Sequence, residues 1–143
     1  MNKDRLTKAC RSWNMSCIRG KDTKPELVVR SLLHRMGYRF RLHGKGLPGR
    51  PDIVLARHRA VVFVHGCFWH RHRGCKNCTT PTSNREFWVK KLEGNAARDR
   101  LSHRALVRLG WRVAFVWECE TAKPQSLDRV RKRLQKALGR MAK

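Results

Sequence analysis

The sequence predicts a single α/β domain, a mixed sheet flanked by helices. Three observations carry that expectation. At 143 residues and 41% hydrophobic content, the chain is long enough to bury a core and too apolar to be compositionally disordered. Two short apolar runs, "DIVLA" and "AVVFVH", are separated only by "RHR", the pattern of a hairpin of central strands. Helical periodicities and further alternating runs surround this hairpin, in the order helix, three strands, helix, strand, helix, with no internal repeat.

The elements follow in turn. Residues 1–22 are basic and lack sustained periodicity, so they read as an arm preceding a domain at 23–143. "TKPE" reads as a helix start: Thr23 can cap, Glu26 can reach back, and Pro25 sits in the first turn. Leu27, Val28, Leu32 and Met36 recur at helical spacing until Gly37 ends the run. "YRFRL" alternates Tyr38, Phe40 and Leu42 against arginines as a half-buried strand does, and "HGKGLPGRP" is a glycine- and proline-punctuated loop. After the hairpin and a loop rich in Cys and His, Ser83 and Glu86 form a second capping-box pattern. It opens a helix expected to break at Gly94 and to end at Gly110. "WRVAFVWE" sets Trp111, Val113, Phe115 and Trp117 against Ala114 and Val116, a strand of the same sheet with Trp111 and Trp117 as core candidates. From Ser126, the positions Leu127, Val130, Leu134 and Leu138 trace an amphipathic terminal helix with a very basic outer face.

Charge bounds the partners. Lys and Arg total 34 against 10 acidic residues, a formal net charge of +24. Such a field repels itself, and a polyanionic partner is the usual reason to tolerate it; nucleic acid comes first. An anionic membrane surface comes second, but no apolar segment is long enough to span a bilayer and no signal peptide is evident, so a cytoplasmic protein is expected. In a reducing compartment, six cysteines (Cys10, Cys17, Cys67, Cys75, Cys78, Cys119) clustered with histidine favour metal over disulfides.

Three sites stand out. Cys67, His72 and Cys75 are spaced for tetrahedral zinc; Cys119 could add a fourth ligand from a distance, and Cys78 competes with Cys75. In "GRPDIVL", Asp52 begins a buried strand after a glycine-proline loop, where a metal-dependent nuclease would hold a hard cation, although a turn-capping Asp is the simpler alternative. If the hairpin pairs in the expected register, His65 comes alongside Asp52. His65 and His70 are then candidates for proton transfer at a phosphodiester. Glu26 and Asp99 are explained locally, as a capping residue and a solvated helix acid.

The segments "GRPDIVL", "VFVHGCFWHRH", "EFWVKKLEGNAARDR" and "LGWRVAFVWECE" together resemble the very short patch repair endonucleases, the Vsr family, from about "RGKDTKPE" to "VWECE". The resemblance implies a restriction-endonuclease-like fold and nicking of DNA beside the thymine of T:G mismatches, which arise where 5-methylcytosine deaminates next to a cytosine-5 DNA methyltransferase's target. It implies magnesium held by Asp52 and the main-chain carbonyl of Val64. His65 and His70 would be the catalytic histidines, Asp99 would orient one of them, and Glu26 would lie near the active site. Structural zinc would use Cys67, His72, Cys75 and Cys119. Phe68, Trp69 and Trp88 resemble an aromatic wedge that enters the duplex beside the mismatch, where unstacking is cheapest. Mismatch-repair proteins are further partners to expect, and a monomer is the expected state.

The wider nuclease superfamily keeps an acid and a lysine two positions apart on the second hairpin strand. Here Phe63 and His65 stand there, so histidine must do the work of the lysine. Two rival functions remain from sequence: a non-catalytic, zinc-stabilised nucleic-acid-binding module, and a restriction-type nuclease cutting unmodified sites.

Overall fold

The computed structural model describes residues 22–139 except 73 and 77. The basic arm expected at 1–22 therefore lies outside the described residues, apart from Asp22. Helix α1 (Lys24–Arg35) leads into strands β1 (Arg41–Leu42), β2 (Ile53–Leu55) and β3 (Ala60–His65). Helix α2 (Arg85–Arg108), strand β4 (Arg112–Trp117) and helix α3 (Pro124–Leu138) complete the order. The sheet runs β1-β2-β3-β4. β1–β2 and β2–β3 are antiparallel, and β3–β4 is parallel, with α2 as the crossover.

All six residues of β3 are buried, as expected of a strand covered on both faces. Val62 and Val64 face one cluster, built with Val29 and Leu33 of α1 and Val130, Leu134 and Leu138 of α3. Val61 and Phe63 face the other, with Leu106 of α2 and the flanking Trp111, Val113 and Phe115. The alternation anticipated for β4 is thus realised, with Ala114 and Val116 on the α1/α3 face.

Local details differ from expectation. Only Arg41–Leu42 of "YRFRL" pairs as strand; Tyr38 is buried as an anchor instead, its hydroxyl donating to the Gly139 carbonyl at 2.8 Å. Thr23 caps α1 through the Glu26 N–H, but Glu26 reaches past it to accept the Asp22 N–H at 2.9 Å. The buried stripe of α1 is Glu26, Val29, Leu32 and Leu33, and Leu27 is exposed, because the helix lies on the sheet one position round from the expected face. Between β2 and β3 the chain makes a 3-10 turn at Ala56–His58 closed by a left-handed Arg59. For α2 the cap position is Asn84, not Ser83, and its side chain makes no capping hydrogen bond.

The expected break at Gly94 does not occur. Helix α2 runs unbroken through it for 24 residues, because neighbouring turns supply the hydrogen bonding and nothing crowds the site. A Cβ added at Gly94 would meet nothing within 4 Å. Gly94→Ala should therefore stabilise the protein by about 0.5–1 kcal/mol, by removing backbone freedom from the unfolded chain. Urea unfolding of the two proteins checks this; a lower midpoint in the variant would show that the helix needs glycine there.

Candidate active site

A cavity of about 470 Å³ opens where β3 ends and β2 begins. Glu26 reaches it from the first turn of α1, Asp52 from the start of β2, His65 from the last position of β3, His70 from the following loop and Asp99 from α2. Asp52 does not cap a turn. Its Oδ2 accepts the Val64 N–H at 2.7 Å across the hairpin, in the register that pairs Ile53 with Val62. Burial pushes the Asp52 carboxyl up to about 6, against that hydrogen bond and with the help of the nearby Glu26 charge. Glu26 is itself buried and accepts from Asp22 and from Arg30, at 3.2 Å. Two crowded carboxyls facing one cavity make a donor set for a hard cation.

The two histidines are unlike. His70 Nδ1 lies 2.7 Å from Asp99 Oδ2; a carboxylate only accepts, so it fixes the Nδ1–H tautomer and leaves Nε2 open. His65 stacks on His70 with ring centroids 3.9 Å apart and planes 6° from parallel. Burial, then the neighbouring His70, depresses the His65 imidazolium to about 3 against the pull of Asp99, so His65 is neutral at physiological pH. One ligand atom from each of His65, His70 and Asp99 lies within 4.8 Å of the others, close enough for a shared metal. Stacked rings, however, direct their in-plane lone pairs side by side and not toward a common point. This arrangement suits proton transfer at the open Nε2 of His70 better than chelation.

A second cluster lies beyond. One ligand atom each from Cys67, His72, Cys75 and Cys119 lies within 4.8 Å of the others. His72 Nδ1 is 3.5 Å from both the Cys67 and the Cys119 sulfur. Cys67 is fully buried, and burial, together with the adjoining thiols of Cys119 and Cys75, pushes its thiol up to about 12. Three thiols and an imidazole so placed fit a borderline-soft cation in tetrahedral coordination. Of the competing cysteines, Cys75 joins this group and Cys78 does not. Trp117, expected in the core, is half-buried and bridges the clusters: His72 stacks on it at 4.1 Å and His65 meets its edge at 5.2 Å. Trp111 does pack against the core, under Arg59.

Phe68, Trp69 and Trp88 form a half-buried aromatic group outside both core clusters, with ring centroids 5.0–5.9 Å apart. One face of α2 holds this group and the histidines together. Trp88 meets Phe68 and Trp69, Lys91 stands over Trp69, the Asn95 amide donates to the Trp69 carbonyl at 3.2 Å, and Asp99 holds His70. Spacings of three and four residues put these side chains in one row.

Comparison with known proteins agrees with this geometry. A family model described as DNA mismatch endonuclease Vsr matches residues 3–77. The chain is 52% identical over 125 residues (87% of this chain, 91% of the relative) to the Type II nicking enzyme V.XorIIP of Xanthomonas oryzae pv. oryzae. It is 47% identical over 112 residues (78% and 71%) to the DNA mismatch endonuclease Vsr of Escherichia coli strain K12. It is 44% identical over 117 residues (82% and 83%) to the Type II nicking enzyme V.NmeAIP of Neisseria meningitidis. The chain belongs to the Vsr family of DNA endonucleases.

Around this Vsr-family cavity the structure adds residues that sequence reasoning passed over. Glu118 lines the cavity and accepts the Cys67 N–H at 3.0 Å, tying the metal-type cluster to the cavity. Lys91 and Asn95 pin the loop to α2, and Phe87, 58% exposed, extends the aromatic group at 5.4 Å from Trp88. Helical spacing from Asp99 back to Trp88 was the available signal; what it lacked was the loop's position.

The neutral state of His65 has a measurable sign. Its folded value, about 3, lies below the ordinary 6.5, so between those pH values the unfolded chain binds a proton that the folded one does not. Stability relative to His65→Gln should therefore fall as pH drops from 6.5 toward 3, by at most about 1.4 kcal/mol per pH unit. Denaturant titrations of both proteins across that window test it. A constant or opposite difference would mean that folded His65 carries the proton.

Proposed function

We propose that this endonuclease nicks double-stranded DNA on the 5′ side of the thymine in a T:G mismatch, the lesion left by deamination of 5-methylcytosine, and so initiates very short patch repair. One observation carries the reading: a single face of α2 holds both the aromatic group and the His70–Asp99 pair. A probe of base stacking is thereby fixed at a set distance from a hydrolytic cavity. The names of the relatives, mismatch endonuclease and nicking enzymes, support cutting of one strand.

The residues divide the chemistry. Phe68, Trp69 and Trp88 insert beside the mismatch, where the step is cheapest to open, and their rings replace the stacking lost. His70, its tautomer fixed by Asp99, presents Nε2 to take a proton from the attacking water. Neutral His65 lies against it and bars a second positive charge from the pair. Glu26 holds the negative wall of the cavity. Attack breaks the P–O3′ bond, and the departing O3′ takes up a proton from solvent, leaving a 3′-hydroxyl and a 5′-phosphate. Asp52 and the Val64 carbonyl would hold magnesium, which when bound supplies Lewis-acid stabilisation of charge on the phosphate. Cys67, His72, Cys75 and Cys119 would hold a structural zinc that fixes the loop presenting Phe68 and Trp69. We place the enzyme in the cytoplasm as a monomer, linked in function to a cytosine-5 methyltransferase, with mismatch-repair proteins as further partners. Among the described residues, no helix is long and apolar enough to cross a membrane.

Freshly purified protein should contain about one zinc per chain, and Cys67→Ser should lose both the metal and much of the thermal stability. Elemental analysis finding no metal in folded protein would remove the zinc assignment.

Cleavage of one labelled duplex carrying T:G, set against the same duplex carrying C:G, tests the activity. The wild type should nick only the first. Asp52→Ala should abolish magnesium-dependent nicking yet keep binding, since one carboxylate barely alters a +24 field. The Phe68→Ala/Trp69→Ala double variant should stay folded and lose its T:G preference, each ring contributing about 1–3 kcal/mol of stacking. Near wild-type cutting by Asp52→Ala would move the active site elsewhere.

A further inference from the structure

We propose that the loop between β1 and β2 is a binding groove for the sugar–phosphate backbone of the cut strand on the 5′ side of the nick, away from the mismatch. The inference rests on the nicking activity proposed above. The groove adjoins the catalytic cavity and shares Arg50 and Asp52 with it. Its volume is about 830 Å³; Arg41, Lys45 and Arg50 line it with Asp52 as the acidic lining residue, and His43, also in the lining, is paired to Asp22 at 3.4 Å. Leu42, Leu47 and Val54 supply an apolar floor between the charges. Cations spaced along an apolar surface suit alternating phosphates and deoxyribose faces better than they suit an isolated anion.

The loop is built to hold this shape. His43 and Arg50, both basic, take left-handed backbone at φ 53° and 46°. Conformations of that kind persist in non-glycine residues only where the surroundings enforce them. Here the His43 N–H donates to the Asp52 carbonyl at 3.0 Å and the Gly44 N–H to the Pro51 carbonyl at 2.8 Å. A Cβ on Gly44 would come within 2.8 Å of Val54 Cγ2, so the chain is drawn tight against β2.

Position along α2 sets the direction. The aromatic group meets the helix at Trp88, the catalytic histidine at Asp99, and the loop at Ser102, where a Cβ on Gly49 would come within 2.7 Å of the serine Cβ. At 1.5 Å per residue, Trp88 and Ser102 are about 21 Å apart along the helix axis, with Asp99 between them. Phe68 and Trp69 line the catalytic cavity but not the groove, which joins the cavity at Arg50 and Asp52, so the aromatic group and the groove approach the cutting site from different sides. If the rings mark the mismatched thymine, which is 3′ of the nick, the groove receives the 5′ flank and holds the 3′-hydroxyl end after cutting.

The Arg41→Gln/Lys45→Gln double variant tests the assignment. Both side chains are exposed, so the fold should survive, with Lys45→Gln alone as the milder version if it does not. Removing two phosphate contacts should flatten the slope of log affinity against log salt by about 1.8 for T:G duplex. Methylphosphonates replacing two phosphates 5′ of the nick should weaken wild-type binding and leave the double variant no weaker than it already is. The same replacement 3′ of the nick should weaken both proteins equally. Equal sensitivity of both proteins to the 5′ replacement, or an unchanged salt slope, would overturn the groove. If the wild type fails to nick T:G duplex at all, the proposed activity falls, while the binding comparison still decides the groove.

Discussion

The parallel pairing of β3 with β4 is the constraint from which both clusters descend. Its register sets His65 opposite Trp117, so the two chains leave the sheet together. Two residues further along each, Cys67 and Cys119 arrive within reach of the same imidazole nitrogen. Trp117 then serves both sides, flat against His72 and edge-on to His65. A slip of one residue would turn every side chain of β4 to the other face and part these groups, while leaving the strand's apolar content unchanged. The register is held by burial: Val61, Phe63, Val113 and Phe115 pack on one face, and Val62, Val64, Ala114 and Val116 on the other.

From that junction a second long-range fixture, α2, sets distances. A helix is stiff over its length, and this one carries Trp88, Asn95, Asp99 and Ser102 in a row that touches the aromatic group, the loop backbone, His70 and the β1–β2 loop. The loop from Gly66 to Cys78 includes no helix or strand among its described residues. It is positioned from outside, by α2 on one flank and by the cysteine cluster and Glu118 on the other. Trp69 and His70, neighbours in the chain, are thereby held by adjacent turns of one helix.

Local electrostatics run against the global field at the centre of this arrangement. A net charge of +24 should favour ionised carboxylates, yet the Asp52 carboxyl is pushed up to about 6. The arginines and lysines are mostly at the surface and screened by solvent within about 8–10 Å, whereas burial and Glu26 act at short range. At His65 the two act together: burial keeps the imidazole neutral against the pull of Asp99, in the same sense as a positive field. The overall charge draws in the polyanion; the buried groups decide what happens to one phosphate.

Much was legible in sequence because it depends on neighbours in the chain. Short continuous apolar runs located β2 and β3, period-2 alternation located β4, and period-3.6 spacing located α3, whose Val130, Leu134 and Leu138 are buried as expected. The density of Cys and His in "HGCFWHRHRGCKNC" marked a metal-type cluster, since ligands on one short loop need little folding to converge. Where sequence reasoning failed, the deciding contacts were distant. Gly94 stayed helical because the flanking turns outweigh one glycine, and α1 turned its face because the sheet, not the helix, chose which residues to cover. Trp117 left the core because two histidines flank it, one of them a member of the cysteine cluster. Cys75 prevailed over Cys78 because only its sulfur comes within reach of Cys119, a strand and a helix away in the chain. Sequence by itself determined which elements form and which residue types gather in one loop, because those follow from local periodicity and spacing. Tertiary structure alone decided which side chains share a site, because convergence of atoms from α1, β2, β3, α2 and β4 requires the sheet register and helix packing that no local pattern encodes.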